Sequence, residues 1–117
     1  MANPVVRFDI GCKDRDRTVA FYRDVFGWSG HDTGLSTEVS TGEGGIDGAI
    51  TALGHEPHNY VMVYMQVADC DAHCEKIKAA GGEIEVGPID IPGDRGRFAW
   101  FKDPEGNRLA IFQPPAE

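Results

Sequence analysis

Two stretches of the sequence decide the fold: DRDRTVAFYRDVFG at residues 14–27 and DCDAHCEKIKAAGG at residues 69–82. Each opens with an aspartate that can cap a helix, Asp14 or Asp16 in the first stretch and Asp69 in the second. Each ends in glycine, which accepts the left-handed backbone of a helix C-terminus. Asp69 follows Asp14 by 55 residues, and Gly82 follows Gly27 by the same 55. This equal spacing predicts an internal duplication.

A strand with alternating polarity precedes each predicted helix. In residues 5–12, one face carries Val6, Phe8, Ile10 and Cys12, whereas Arg7 and Asp9 point to the other face. Residues 60–67 repeat the pattern, with Cys12 matched by Val67 at the same offset of 55. A period of two predicts strands with one face on a packed layer.

Short candidate strands, separated by Gly, Pro and Asp, follow each helix, at residues 29–33, 35–41 and 46–53 in the first half and 83–91, 97–102 and 107–113 in the second. Each half is therefore predicted to be β-α-β-β-β. We predict a single α+β domain over residues 1–117, with module 1 at about 4–53, a linker at 54–59 and module 2 at about 60–114. The expected architecture is a curved mixed sheet around a concave pocket, with one helix per module on the other face.

The net charge and the hydrophobic pattern of the chain limit the kinds of binding partner that it can have. The chain has 117 residues, with 11 Lys or Arg against 19 Asp or Glu, and its net charge of -8 disfavours nucleic acid. The longest apolar run, residues 60–65, is far too short to span a membrane. The first residues lack the pattern of a signal peptide, and three cysteines cannot all pair within the chain. The sequence therefore predicts a cytoplasmic protein with neither a nucleic acid nor a membrane as partner.

Residues 21–28 (FYRDVFGW) and 98–109 (FAWFKDPEGNRL) resemble the vicinal oxygen chelate superfamily, which includes glyoxalases, extradiol dioxygenases and bleomycin-resistance proteins. The likeness covers about residues 5–113. It implies the duplicated β-α-β-β-β fold (glyoxalase/bleomycin resistance fold), a pocket for a small organic molecule, and a homodimer. Both motifs shape the backbone, at a helix end and in the last hairpin, and neither specifies an activity.

Metal-using members of that superfamily hold a divalent ion with four residues, mostly His and Glu, on the first, fourth, fifth and eighth strands. The matching positions here are Arg7, a position near Gly48 with Asp47 beside it, Met62 and Ala110. Arginine has no available lone pair, glycine and alanine carry no ligand atom, and a thioether suits copper(I) better than harder ions. The resemblance therefore implies a degenerate metal site and no metal cofactor.

Arg7 and Asp9 lie two residues apart on the first strand, so both side chains project from its polar face. Arg7 is a candidate anchor for an anionic ligand group, and Asp9 a tentative general base or a group that orients Arg7. The alternative is an ion pair whose charges only satisfy each other.

Aromatic residues on later strands are candidates for the pocket walls: Tyr60, Tyr64, Phe98, Trp100 and Phe112. Such rings stack on flat ligands, but they also pack within sheets or at dimer interfaces. The ligand-binding set predicted from the sequence comprises Arg7, Met62, Tyr64, Trp100, Arg108, Ala110 and Phe112.

Two further clusters have simpler explanations. His55-Glu56-Pro57-His58 looks like a metal cluster, but Pro57 prevents the helix that would align its imidazoles, which predicts a solvated loop. Cys70 and Cys74 share a helix stripe with Ile77, which predicts a place in the core.

Two functions stay open at this point. The first is binding or sequestration of a drug or metabolite by a protein that has lost the usual metal ligands, as in bleomycin-resistance proteins. The second is a glyoxalase-like lyase or isomerase, or a dioxygenase, either metal-independent with Asp9 as acid or base or dependent on unusual ligands such as Asp47.

Overall fold

The computed structural model describes residues 2–34, 36–52 and 59–116. Its elements in chain order are β1 (Val5–Gly11), α1 (Arg15–Phe26), β2 (Ser29–Asp32), β3 (Thr37–Ser40), β4 (Asp47–Thr51), β5 (Tyr60–Gln66), α2 (Cys70–Ala79), β6 (Glu83–Asp90), β7 (Arg97–Lys102) and β8 (Arg108–Gln113). The predicted order of two β-α-β-β-β modules is confirmed. Within these ranges neither helix combines the length and the hydropathy needed to cross a membrane.

The contacts group the chain into two compact units, Val6–Met62 and residues 2–5 with 63–116. The backbone N–H of Gln66 donates to the carbonyl of Pro4 at 2.8 Å, and the Asn3 amide donates to the carbonyl of Gln66 at 3.0 Å. These bonds explain why the residues before β1 group with 63–116. The predicted linker at 54–59, apart from Asn59, and the cluster at 55–58 lie outside the described residues.

In the first unit the strands lie in the order β2-β3-β4-β1, with β1 parallel to β4 and the other pairs antiparallel. Asp14 caps α1 by accepting a hydrogen bond from the backbone N–H of Arg17, and Gly27 ends the helix at φ 73°. Both features were predicted from the sequence. The core of this unit comprises Cys12, Val39 and Ile50, against which pack Phe8, Ile10, Val19, Tyr22 and Trp28.

The spacing of Val19, Phe21, Tyr22, Val25 and Phe26 predicts a single apolar stripe on α1, and this prediction is wrong in part. Val19 and Tyr22 pack against the core, but Phe21, Val25 and Phe26 are more than half exposed. Successive helical residues are about 100° apart, so Phe21 lies roughly 200° around the axis from Val19. One stripe cannot hold both residues, and part of the apolar surface of α1 therefore faces solvent.

In the second unit the strands lie in the order β5-β8-β7-β6, with β5 parallel to β8 and the other pairs antiparallel. Asp69 caps α2 as Asp14 caps α1, here by accepting from the N–H of Ala72. The helix ends at Ala79 with Ala80 as its C-cap, and Gly81, the first residue of the predicted Gly81-Gly82 stop, adopts φ 100°.

The core beneath α2 contains both cysteines of the helix. It comprises Val67, Cys70, Cys74, Ala99, Phe101 and Ile111, with Ile77 packed against it. Burial, reinforced by the neighbouring Cys74, raises the pKa of the Cys70 thiol to about 12. The prediction that Cys70 and Cys74 are core residues is confirmed.

Candidate functional site

The face of the first unit opposite α1 carries its polar side chains. Phe8 and Ile10 pack on the α1 side, so Arg7 and Asp9, at alternate positions of β1, project from the other side. On the same side, Ala49 of β4 is the register partner of both Asp9 and Glu38. The two carboxylates therefore flank Ala49 from neighbouring strands.

Arg7 lies between those two carboxylates. Its Nη2 is 3.7 Å from Asp9 Oδ1 and 3.4 Å from Glu38 Oε2. The Asp9 side chain is only 14% exposed, whereas that of Arg7 is 30% exposed. The predicted contact between Arg7 and Asp9 is confirmed. Glu38 was missed, because its approach to Arg7 depends on the register of two strand pairs that the sequence pattern does not contain.

Tyr60, at the start of β5, interacts electrostatically with Asp9. Desolvation by burial, the Asp9 carboxylate and Cys12 together raise the pKa of its hydroxyl to about 12. The phenol therefore keeps its proton and offers a neutral donor beside a carboxylate.

The structure corrects the predicted fourth-strand position. Gly48 pairs with Phe8, and a Cβ at Gly48 would lie 2.7 Å from ring carbons of Phe8, on the α1 side of the sheet. A side chain at this position would therefore point away from Arg7 and Asp9. Its neighbour Asp47 is exposed, and Asp47 Oδ1 accepts a hydrogen bond from the backbone N–H of Thr41 at 3.3 Å.

The other positions that the resemblance matches to metal ligands also lack a side chain that could bind a divalent ion. Arg7 is held by carboxylates, Met62 is 1% exposed and Ala110 is fully buried. None of these side chains supplies the oxygen, imidazole or thiolate that divalent ions take in proteins. Over residues 2–34, 36–52 and 59–116, no three His, Cys, Asp or Glu side chains form a cluster able to hold a metal ion.

In the second unit, Tyr64 and Trp100 form a hydrogen-bonded aromatic pair. Trp100 Nε1–H donates to the Tyr64 hydroxyl at 3.1 Å, and the two residues are 6% and 8% exposed. Ala110 of β8 is the register partner of both Tyr64 on β5 and Trp100 on β7, so its small side chain lies between the two aromatic residues. Ala99 and Phe101 pack beneath α2, which places Trp100 on the opposite face of β7. The structure thus brings Tyr64, Trp100 and Ala110 together.

Charged and aromatic residues continue this face. Phe112 of β8 pairs directly with Phe98 of β7, and both are half-buried. Towards the other end of these strands, Arg108 Nε donates to Glu85 Oε1 at 2.8 Å, and Lys102 Nζ lies 3.7 Å from Glu85 Oε2. Glu85 and Lys102 were not predicted, because β6 is irregular and its register is broken on either side of Val86.

A separate cleft of about 320 Å³ lies between α2 and β6. Its lining includes Asp71, Cys74, Lys78 and Ile84, and none of the predicted site residues. Arg97 binds Asp71 through Nε and Nη2, each at 3.0 Å, and this contact holds the pKa of Asp71 below its ordinary value. Asp71 is thus already used to attach α2 to the sheet, and Lys78 Nζ pairs with Glu75 Oε2 at 2.7 Å within the helix.

Residues 5–111 match the family model described as the Glyoxalase/Bleomycin resistance protein/Dioxygenase superfamily. The anthracycline biosynthesis protein DnrV of Streptomyces peucetius is 30% identical over 131 aligned positions, which cover 91% of this chain and 45% of DnrV. The chain thus spans less than half the length of the first curated relatives it matches. A probable lactoylglutathione lyase of Vibrio cholerae is 31% identical over 114 positions, with 86% of this chain and 83% of that protein covered.

Solved structures agree with this assignment at the level of the fold. Methylmalonyl-CoA epimerase of Streptomyces coelicolor superimposes with a TM-score of 0.69 at 18% identity, covering 99% of this chain and 100% of the epimerase. A superfamily member from Vibrio splendidus gives a TM-score of 0.64 at 16% identity, with 97% and 99% covered. The chain therefore belongs to the glyoxalase/bleomycin resistance protein/dioxygenase superfamily.

Proposed function

We propose that this protein binds a small organic molecule and does so without the divalent metal of its superfamily. One observation carries the proposal: the first-strand position is an arginine whose guanidinium lies between Asp9 and Glu38. A metal ion there would have to displace a cation from two carboxylates that already balance it. Gly48, Met62 and Ala110 offer no compensating ligand.

The chemistry of the side chains supports an organic ligand with a flat apolar part and a polar or anionic part. In the second unit Phe98 and Phe112 are half-buried rings next to the Tyr64 and Trp100 pair. Rings of this kind contribute large contact areas to flat molecules. Arg108, on the same strand as Phe112, is a planar donor for carboxylate or phenolate oxygens.

The relatives support sequestration or handling of such a molecule. DnrV is named for anthracycline biosynthesis, and anthracyclines are flat fused-ring compounds. The superfamily itself is named in part for bleomycin resistance. The three cysteines Cys12, Cys70 and Cys74 are all free and buried, which is in keeping with a reducing compartment such as the cytoplasm.

Two measurements on tag-free protein test this proposal. Elemental analysis after incubation with Ni, Zn, Mn and Fe(II) and exhaustive desalting should find no retained ion near one per chain. His55→Ala/His58→Ala protein is the matched control, because two neighbouring histidines can retain stray ions. Retention near one ion per chain in that control would refute metal independence.

Ligand binding is tested by thermal shift and tryptophan fluorescence with fused-ring quinones, aromatic carboxylates and glycopeptides. We expect at least one class to stabilise the protein, and we expect Phe112→Leu to weaken its binding by about tenfold. Ile46→Ser, at an exposed apolar residue just before β4, is the control and should bind as wild type. A panel without any shift would remove the support for ligand binding.

Acid-base catalysis is the second candidate, favoured by the protonated Tyr60 hydroxyl beside the Asp9 carboxylate. In a lyase or isomerase, Asp9 would accept a proton from carbon and Tyr60 would donate a hydrogen bond to the oxygen that gains charge. Asp9→Asn should then remove the base-dependent activity, so that the bell-shaped pH-rate profile is lost. A variant that keeps the wild-type profile would exclude Asp9 as the base.

A further inference from the structure

The second unit contains a pair of thiols that the proposed function does not use. Cys70 is the first residue of α2 and Cys74 lies four positions later, so their Cβ atoms are about 5–6 Å apart on one side of the helix. The Cys70 S–H donates a hydrogen bond to the Cys74 sulfur. Cys70 is fully buried and Cys74 is 3% exposed. The two sulfur atoms thus lie side by side in the core beneath α2.

A third sulfur atom belongs to the same core. Met65 of β5 packs against the cluster that contains both cysteines, on the α2 side of the sheet together with Val67. The other members of this cluster are hydrocarbon side chains, namely Ala99, Phe101, Ile111, Ile77, Ile84 and Leu109. The core beneath α2 therefore combines two thiols and one thioether in apolar surroundings.

The cleft between α2 and β6 reaches this thiol pair. Cys74 lines the cleft, together with Ile84 and Pro88 of β6. Because Cys70 has no exposed surface, an ion that enters the cleft meets Cys74 first and Cys70 one helical turn away. The cleft therefore gives small ions a route to two adjacent sulfur atoms.

The available donor atoms select among metal ions. The carboxylates that share the cleft are already paired, Asp71 with Arg97 and Glu75 with Lys78. In the ranges that the structure describes, no cluster of three or more His, Cys, Asp or Glu side chains could hold a metal ion, so the four ligands of a structural zinc site are missing. Thiolate and thioether sulfur favour Cu(I), which also accepts only two or three ligands.

We infer that Cys70 and Cys74 bind one Cu(I) ion as thiolates, with Met65 as the third sulfur donor. Burial raises the pKa of both thiols, so each carries a proton at neutral pH before the ion binds. Two thiols and one Cu(I) ion then give an S–Cu–S unit of charge -1 and two released protons, and no electron is transferred. The first turn of a helix stabilises a negative charge of this kind. The inference is independent of the proposed organic ligand, which would lie on the other face of β7.

An anaerobic titration of the reduced, tag-free chain with Cu(I), in competition with the chelator bathocuproine disulfonate, tests the inference. The His55→Ala/His58→Ala protein is the background, so that neighbouring histidines do not contribute. We expect one ion per chain and an ultraviolet sulfur-to-copper charge-transfer band. A protein that takes no Cu(I) from the chelator overturns the inference.

Substitutions identify the ligands. Cys70→Ala and Cys74→Ala, which keep the core apolar, should each raise the dissociation constant by about a hundredfold or more, and Met65→Leu by about tenfold. Cys12→Ala is the matched control, because Cys12 is also free and buried but belongs to the core of the first unit, and it should leave the dissociation constant unchanged. Binding that survives Cys70→Ala/Cys74→Ala overturns the inference. Circular dichroism verifies that each variant is folded.

X-ray absorption at the copper edge tests the same site without a substitution in the core, and so decides the matter even if a cysteine variant does not fold. We expect two or three sulfur neighbours around the ion. Nitrogen or oxygen neighbours would overturn the inference, because the core beneath α2 offers only sulfur side-chain donors among the residues of its cluster.

Discussion

Replacing Arg7 with methionine keeps most of the length of the side chain and removes the charge that lies between Asp9 and Glu38. The variant tests whether this arginine holds two carboxylates that would otherwise repel each other. It is informative for function too, because Arg7 is the residue on which the proposal of metal-independent binding rests.

The distances between Arg7 and the two carboxylates, and the exposed fractions of the side chains, set limits on the stability that Arg7→Met should lose. At an effective dielectric constant of about 20, unit charges some 3.5 Å apart attract by about 5 kcal/mol, an upper limit here. Measured values for exposed pairs fall below about 1 kcal/mol, whereas breaking a buried pair costs about 3–5 kcal/mol. Arg7 is 30% exposed and Asp9 14%, so this cluster lies between those limits. We expect Arg7→Met to lower the free energy of unfolding by about 2 kcal/mol at neutral pH.

Urea unfolding followed by circular dichroism measures this loss. Arg7→Lys, which keeps the charge, should lose less than Arg7→Met. The triple variant Arg7→Met/Asp9→Asn/Glu38→Gln should recover much of the loss, because the uncompensated charges are gone. Equal stability of Arg7→Met and wild type at pH 7 would refute the reasoning.

Three further outcomes are expected. The pKa of Tyr60 is raised from 10.0 to about 12, so wild type should lose stability between those pH values. Tyr60→Phe should lack that loss, which is about 1–2 kcal/mol after allowance for solvent screening, in urea unfolding measured against pH. Gly48→Ala should destabilise by about 1–3 kcal/mol in the same assay, because its Cβ would meet the Phe8 ring and backbone. Tyr64→Phe should cost about 1–3 kcal/mol, measured by thermal unfolding, because Trp100 Nε1–H loses its acceptor.

The duplicated layout could be predicted because its signals are local. Asp14 and Asp69 each accept a backbone hydrogen bond from the residue three positions later, which is a geometry that sequence spacing specifies. Gly27 adopts the left-handed conformation that its position after α1 predicted. These features require no knowledge of which strands pair.

The candidate site could be predicted only where its members share a strand. Arg7 and Asp9 are two positions apart on β1, so alternation alone puts them on one face. Glu38 reaches them through two strand pairings in succession, which neither spacing nor composition encodes. The orientation of Gly48 was missed for a related reason. Glycine has no side chain that could show by its polarity which face of β4 it occupies, and the Phe8 ring fills the space where a Cβ would lie.

The parallel pairings within each unit constrain how the chain can fold. Arg7 of β1 is in register with Asp47 of β4, and Tyr64 of β5 with Ala110 of β8, so each pairing joins residues some 40 or more positions apart. The antiparallel pairs β2–β3 and β7–β8 close much shorter loops and can form early. Closing a long loop consumes chain entropy before the contacts repay it, which slows folding in proportion to sequence separation. Each half of this small protein should therefore fold on the millisecond-to-second scale typical of non-local sheets, with the docking of β1 onto β4 and of β8 onto β5 as the late, rate-limiting events.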